Sequence, residues 1–172
     1  MNMMTYDCGA MGNHDIETGH AVYDRWVRDC KFPILGANVI DTRTDKPYLQ
    51  PYIVLKRAGV KIAILGMLTP GIPNWLPEQL WSGLRFDEIV SSARHWVKII
   101  QEREHPDLLV GLFHSGYDGG IVNNADGAQI HENATKLVAE QVPGLDLICY
   151  GHDHQAAVNY LKNPLGETVV TV

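Results

Sequence analysis

The segment Gly151-His152-Asp153-His154 follows Leu145-Asp146-Leu147-Ile148-Cys149-Tyr150, a mostly apolar run of strand length. Imidazole is the commonest side-chain metal ligand. Two histidines one residue apart at the end of an extended run are expected on the same side, because side chains alternate along a strand. The glycine before them allows a tight backbone turn toward whatever they hold. Metal coordination is the chemistry this spacing implies, although a lone surface His-x-His pair is equally consistent with a bland turn. Two further segments bear on the choice: Gly12-Asn13-His14-Asp15 and Phe113-His114-Ser115-Gly116. Each falls just after an expected strand. In open α/β sheets, functional groups gather at the carboxyl ends of strands. An amide and three histidines brought to one edge by three loops make a metal-site pattern.

The elements that must position these groups can be read in order. Tyr6 to Met11 reads as a short strand and Gly12 to Gly19 as a loop bounded by glycines. A helix is expected over His20 to Asp29, with Val22, Trp26 and Val27 on one face, and a strand over Phe32 to Val39. Tyr52 to Arg57 and Val60 to Leu65 flank Ala58-Gly59, a β-hairpin signal, and the second arm is apolar enough for a strand buried on both faces. The proline- and tryptophan-bearing stretch Thr69 to Gly83 reads as an ordered loop beside the site or at a junction. Asp87 to Glu104 carries Ile89, Val90, Ala93, Trp96, Val97 and Ile100 at helical spacing, with an acidic N-terminus and Pro106 to stop it. Asp107 to Phe113 is a buried strand delivering His114; Gly116 to Gly127 reads as loop and Asn133 to Val142 as helix. Strands near Ala157 to Leu161 and Thr168 to Val172 close the chain. Strands alternating with helices give an α/β layered fold with a hairpin attached.

Bulk properties narrow the classes. The chain has 172 residues, room for one domain with a real core, and 45% apolar against 20% charged content is ordinary for a globular protein. A net charge of −6 argues against binding nucleic acid polymers or anionic membrane nonspecifically. It does not exclude an anionic substrate, since a metal site is locally positive. Cys8, Cys30 and Cys149 form no C-x-x-C pair, and an odd count forbids complete internal pairing; Cys149 is expected as a buried free thiol. No apolar run reaches transmembrane length, and no signal peptide is visible at the start.

With the three blocks in hand, the chain resembles the calcineurin-like metallophosphoesterase superfamily. Gly12-Asn13-His14-Asp15 is similar to its Gly-Asn-His-(Asp/Glu) block, Phe113-His114-Ser115-Gly116 to its isolated-histidine block, and Gly151-His152-Asp153-His154 to its Gly-His-x-His block. Gly66-Met67-Leu68-Thr69-Pro70 after the hairpin, His114-Ser115-Gly116, and Val142-Pro143-Gly144-Leu145-Asp146 resemble the 5′-nucleotidase and 2′,3′-cyclic-nucleotide 2′-phosphodiesterase group. The resemblance implies a four-layer α/β/β/α sandwich and metal-dependent hydrolysis of nucleotide phosphate esters, outside the cytoplasm (periplasmic or extracellular). It implies Asn13, His114 and His152 as ligands of one metal and His154 as ligand of a second. Two divalent ions about 4 Å apart clamp a phosphate and acidify a water; Zn, Mn and Fe all suit mixed O and N ligands. His14 would serve at the leaving oxygen, with Glu17 where the group often sets an Asp to orient that histidine.

One departure shapes the expectation. The group's Asp-x-His and Gly-Asp-x-x-Asp blocks precede its Gly-Asn-His block, and only eleven residues precede Gly12 here. The sandwich is therefore expected to be incomplete at its N-terminus, and the truncated chain alone inactive, with a dimer forming through an exposed sheet edge. Two other readings stay open: a noncatalytic fragment holding at most one weak metal, and a phosphoesterase of another branch of the superfamily. His20, His95, His105 and His131 are expected on helices or turns at the surface, and Trp75 and Trp81 as packing groups more than base-stacking ones.

Overall fold

In the computed structural model, which describes residues 1–123 and 127–172, a two-residue strand β1 (Gly9–Ala10) leads into the helices α1 (Asn13–Ile16) and α2 (His20–Asp29). Strands β2 (Ile34–Leu35), β3 (Val39–Asp41) and β4 (Lys46–Pro47) precede the long pair β5 (Tyr52–Arg57) and β6 (Val60–Leu68). Helix α3 (Ile72–Trp75), strand β7 (Leu84–Phe86), helix α4 (Ile89–Glu104) and strand β8 (Leu108–His114) follow. The chain continues through the hairpin β9 (Gly119–Asn123) and β10 (Gln129–Asn133), helix α5 (Thr135–Gln141), and strands β11 (Leu147–Tyr150), β12 (Asn159–Lys162) and β13 (Thr168–Thr171).

A mixed six-stranded sheet, in the order β12-β13-β11-β8-β6-β5, organises these elements. Its inner strands β13, β11, β8 and β6 run parallel, and β12 and β5 flank them antiparallel. Parallel inner strands need crossovers: α4 lies between β6 and β8 and α5 between β8 and β11, while β11 reaches β13 through β12. Helix α4 starts where the Glu88 carboxylate accepts the Val90 and Ser91 N–H groups, both at 2.7 Å, and ends at His105 in the left-handed region just before Pro106. Its buried stripe of Ile89, Val90, Ala93, Val97 and Ile100 packs with Ala63, Leu65, Met67, Leu109, Phe113 and Ile148 from one sheet face. Each large aliphatic side chain buried there stabilises the fold by about 1.5–3 kcal/mol.

A second core forms from Met11, Ile16, Tyr23, Phe32, Ile34, Val39, Leu68, Ile72 and Phe86. Leu68, the last residue of β6, ties it to the six-stranded sheet. Gly66 lets β2 approach β6 closely, because a Cβ there would lie 2.2 Å from the Leu35 Cβ. Fully buried Asn38 joins the two cores: its Nδ2 donates to the Leu68 and Asp87 carbonyls at 2.7 and 2.9 Å, and its Oδ1 accepts the Leu68 N–H at 2.9 Å.

Several local expectations need correction. Gly12–Gly19 is not all loop, because residues 13–16 form α1, whose first turn is closed by the Asp15 carboxylate accepting the Gly12 N–H at 2.8 Å. The expected strand over 32–39 is two strands, β2 and β3, in different sheets. On α2 the buried residue is Tyr23, its hydroxyl donating to the Leu80 carbonyl at 3.1 Å, with Trp26 and Val27 beside it; Val22 is 49% exposed. Strand β6 is buried on both faces only in its C-terminal half, with Ile62 and Ile64 half-exposed; in β8, Leu108, Val110 and Leu112 are likewise half-exposed while Leu109, Gly111 and Phe113 are buried. The stretch read as loop over 116–127 contains β9, its residues 124–126 lying outside the described ones, and β10 runs to Asn133, where the helix was expected to start. His131 sits in that strand, not on a helix or turn. Cys149 is half-buried, and Cys8, Cys30 and Cys149 are all free. Among the described residues no helix is long and apolar enough to cross a membrane.

Candidate metal centre

Strands β1, β8 and β11 carry the three sequence blocks at their carboxyl ends, and β8 pairs with β11 directly. Asn13, 8% exposed, opens α1 three residues after Ala10, the last of β1. His114 is the last residue of β8, its carbonyl accepting the Thr69 N–H at 2.8 Å. Across the sheet end the Asn13 amide oxygen lies 2.8 Å from His114 Nε2. Gly12 makes the approach possible: a Cβ there would stand 3.0 Å from the His114 ring.

His152 follows β11, its ring centroid 5.1 Å from that of His114. Its Nε2 meets Glu132 Oε1 at 2.9 Å, and Trp75 lies over its ring at a centroid separation of 5.6 Å and an interplanar angle of 30°. The alternation argument for this turn fails. His152 and His154 have φ of +96° and +56°, so the backbone after β11 is left-handed instead of extended. Such φ values at non-glycine residues concentrate at functional sites. The turn is held by Asp153, whose Oδ2 accepts the Tyr117 N–H at 2.8 Å, and by the Gly151 N–H donating to the Phe113 carbonyl at 3.1 Å. His154 is exposed and is near enough to act electrostatically on His114.

His14 and Glu17 do meet. His14 Nδ1 lies 2.8 Å from Glu17 Oε1, three residues on in and just past α1, and both side chains face solvent. The Glu17 carboxylate, by hydrogen bond and charge, raises the His14 pKa above its ordinary value. His114 shifts the other way, down to about 4, chiefly by burial and then by the neighbouring His152, His14 and His154. At neutral pH the His114 ring is uncharged, the form that ligates a metal.

The donor set fits a divalent ion in part. Two ligand atoms bound to one ion at roughly 2.1 Å each sit about 3 Å apart, which is the spacing of Asn13 Oδ1 and His114 Nε2 (2.8 Å). Without an ion the His114 Nε2–H donates to that amide oxygen, and a metal at this position would take the place of the proton. Among the described residues His152 Nδ1 makes no hydrogen bond and retains a free coordinating position. Among those same residues no three His, Cys, Asp or Glu side chains converge closely enough to hold an ion without the amide. Sequence reasoning missed Glu132, which lies in a strand that the polar, glycine-flanked stretch around it did not announce. Trp75 was noticed but not placed against His152.

No protein-family model matches the sequence. The chain is 30% identical over 163 residues to the 2′,3′-cyclic-nucleotide 2′-phosphodiesterase/3′-nucleotidase of Yersinia enterocolitica, covering 90% of this chain and 24% of that protein. It is 29% identical over 169 residues to protein UshA of Escherichia coli, covering 94% and 30%. Among solved structures, the calcineurin-like phosphoesterase YfkN of Bacillus subtilis superposes with a TM-score of 0.77 at 27% identity, covering 90% of this chain and 47% of that one. The NAD nucleotidase of Haemophilus influenzae shares the fold, with a TM-score of 0.79 at 21% identity over 100% of this chain and 34% of that one. The chain is thus homologous to nucleotidases and cyclic-nucleotide phosphodiesterases, and spans about a quarter to a third of the curated relatives' length.

Proposed function

We propose that this chain is the metal-binding part of a phosphoesterase that hydrolyses nucleotide phosphate esters, of the 5′-nucleotidase or 2′,3′-cyclic-nucleotide phosphodiesterase/3′-nucleotidase type. The observation that carries the reading is the meeting of Asn13, His114 and His152 at the carboxyl ends of three strands. On the same likeness, the six-stranded sheet would be one of two in a four-layer α/β/β/α sandwich.

In this reading Asn13 offers its amide oxygen and His114 its Nε2, with His152, to one divalent ion, and His154 serves a second. Bound there, the ions supply charge to grip a phosphate and to acidify a water. His14 stands in solvent beside this group. Its Nδ1 is held by Glu17, so the opposite ring nitrogen is the one presented outward. With its pKa raised by Glu17, His14 keeps a proton further into the neutral range and can deliver it to the leaving oxygen as general acid. Glu17 is then a positioning residue for His14.

The test is hydrolysis of 5′-nucleotides, 3′-nucleotides and 2′,3′-cyclic nucleotides by the chain and by the longest protein containing it, with Zn or Mn supplied. Activity lost in His114→Ala supports the reading; inert protein in every combination removes it. A second reading, a noncatalytic chain holding at most one weak ion, is favoured by the exposure of His154 and by the absence, among the described residues, of a cluster of three acidic, cysteine or histidine ligands. Metal bound without hydrolysis in any length of protein would select it.

A further inference from the structure

We infer that Glu132 is a positioning residue that sets the tautomer of His152. The inference rests on the proposal that His152 is a metal ligand. A neutral imidazole carries one proton, and the hydrogen bond made by one nitrogen decides which nitrogen keeps its lone pair. His152 Nε2 lies 2.9 Å from Glu132 Oε1. A carboxylate only accepts, so the ring must donate from Nε2, and the lone pair is left on Nδ1, which among the described residues has no hydrogen-bond partner.

The site is built to hold Glu132 in place. Its own carbonyl accepts the hydroxyls of Thr69 and Ser115, at 3.2 and 2.9 Å, tying β10 to the ends of β6 and β8. The next residue, Asn133, accepts the Gly116 N–H at 2.8 Å through its side chain. Ser115 Oγ, besides donating to Glu132, accepts the Ala134 N–H at 3.1 Å. Across the strand pair, Gly120 leaves room for the carboxylate, since a Cβ there would stand 2.7 Å from Glu132 Oε2. The two side chains are 12% (His152) and 23% (Glu132) exposed, so water competes little for the bond. Trp75 lies over the imidazole and limits its rotation. Partners of this kind orient a ligating histidine, and their removal typically weakens metal binding about 10–100-fold.

The test reads the tautomer without metal. Long-range proton–nitrogen correlation spectra of the metal-free protein, at a pH where imidazole is neutral, distinguish a protonated Nε2 from a protonated Nδ1. His152 is expected with the proton on Nε2 in the wild type and in Glu132→Gln, and as a mixture of tautomers in Glu132→Ala. A proton on Nδ1 in the wild type, or an unchanged tautomer in Glu132→Ala, would overturn the inference. Zinc affinity by chelator competition is the second arm, with a loss of about 10–100-fold in Glu132→Ala and a smaller loss in Glu132→Gln. Should the alanine variant not fold, the wild-type tautomer and the glutamine variant decide alone: Nε2–H with weakened zinc binding in Glu132→Gln upholds the inference, and Nδ1–H overturns it. Failure of the wild type to bind zinc would remove His152 as a ligand, and the tautomer spectra would still decide whether Glu132 orients the ring.

Discussion

The Asn13 amide oxygen and the His114 Nε2 lie 2.8 Å apart although 101 residues separate them in sequence. Helix α1 and strand β8 bring them together at one sheet edge, in the spacing that two ligands of a single ion adopt. Replacing Asn13 by Leu, which keeps its size and removes the oxygen, should weaken zinc binding at least about 10-fold and, by leaving the His114 Nε2–H without its acceptor, lower stability by about 1–3 kcal/mol. Equal zinc affinity in the two proteins, measured by chelator competition, would remove Asn13 from the ligand set.

Gly116 sits where a side chain cannot. A Cβ there would stand 2.6 Å from Asn133 Oδ1 and 2.7 Å from the Asp153 Cβ, the two groups that fix the loop after β8 and the His152 turn. Gly116→Ala is expected to destabilise the fold by about 1–3 kcal/mol, read from urea unfolding, and to loosen metal binding as well. A variant as stable as the wild type would show that the turn accommodates a methyl group.

Asn38 satisfies three main-chain groups from a fully buried position. Asn38→Ala leaves the Leu68 N–H and two carbonyls without partners, an expected loss of about 3 kcal/mol. Thermal unfolding checks it, and a change below about 1 kcal/mol would mean that water enters to replace the side chain.

Cys149 lies on β11, half-buried, and burial raises its thiol pKa above the ordinary value. The folded chain therefore favours the neutral thiol, a stabilisation complete below the ordinary thiol pKa and lost as pH rises through the raised one. Alkylation of Cys149 at pH 8, followed by mass spectrometry, should be slower in the native protein than in denaturant and should quicken as the medium becomes more alkaline. Equal native and denatured rates would contradict the shift.

How much of this was legible beforehand depended on the kind of signal. The β5–β6 hairpin and α4 were readable because a two-residue Ala58-Gly59 turn and a 3.6-residue apolar period are local features. Strands β9 and β10 were not, because Gly119, Gly120 and the polar Gln129, His131 and Glu132 carry no alternating apolar pattern; this hairpin is held by contacts to Thr69, Ser115 and Asn74. The grouping of Asn13, His114 and His152 followed from three strand ends. The partner of His152 did not, since it comes from a strand that only tertiary contacts define. The side-by-side projection of His152 and His154 failed for a local reason, the left-handed backbone at both.

Trp75 gives an optical handle on the site, its ring 5.6 Å from that of His152. Addition of cobalt should quench tryptophan fluorescence, and Trp75→Phe should remove most of that change. Quenching undiminished in the variant would place the bound ion nearer another tryptophan.

The central proposal is that Asn13, His114 and His152 together hold a metal ion in this chain. Elemental analysis of protein loaded with zinc or manganese and freed of excess tests it most directly, alongside a His114→Ala/His152→Ala double variant. Stoichiometric metal in the wild type and none in the double variant is the expected result. Metal absent from both, or present equally in both, would contradict it.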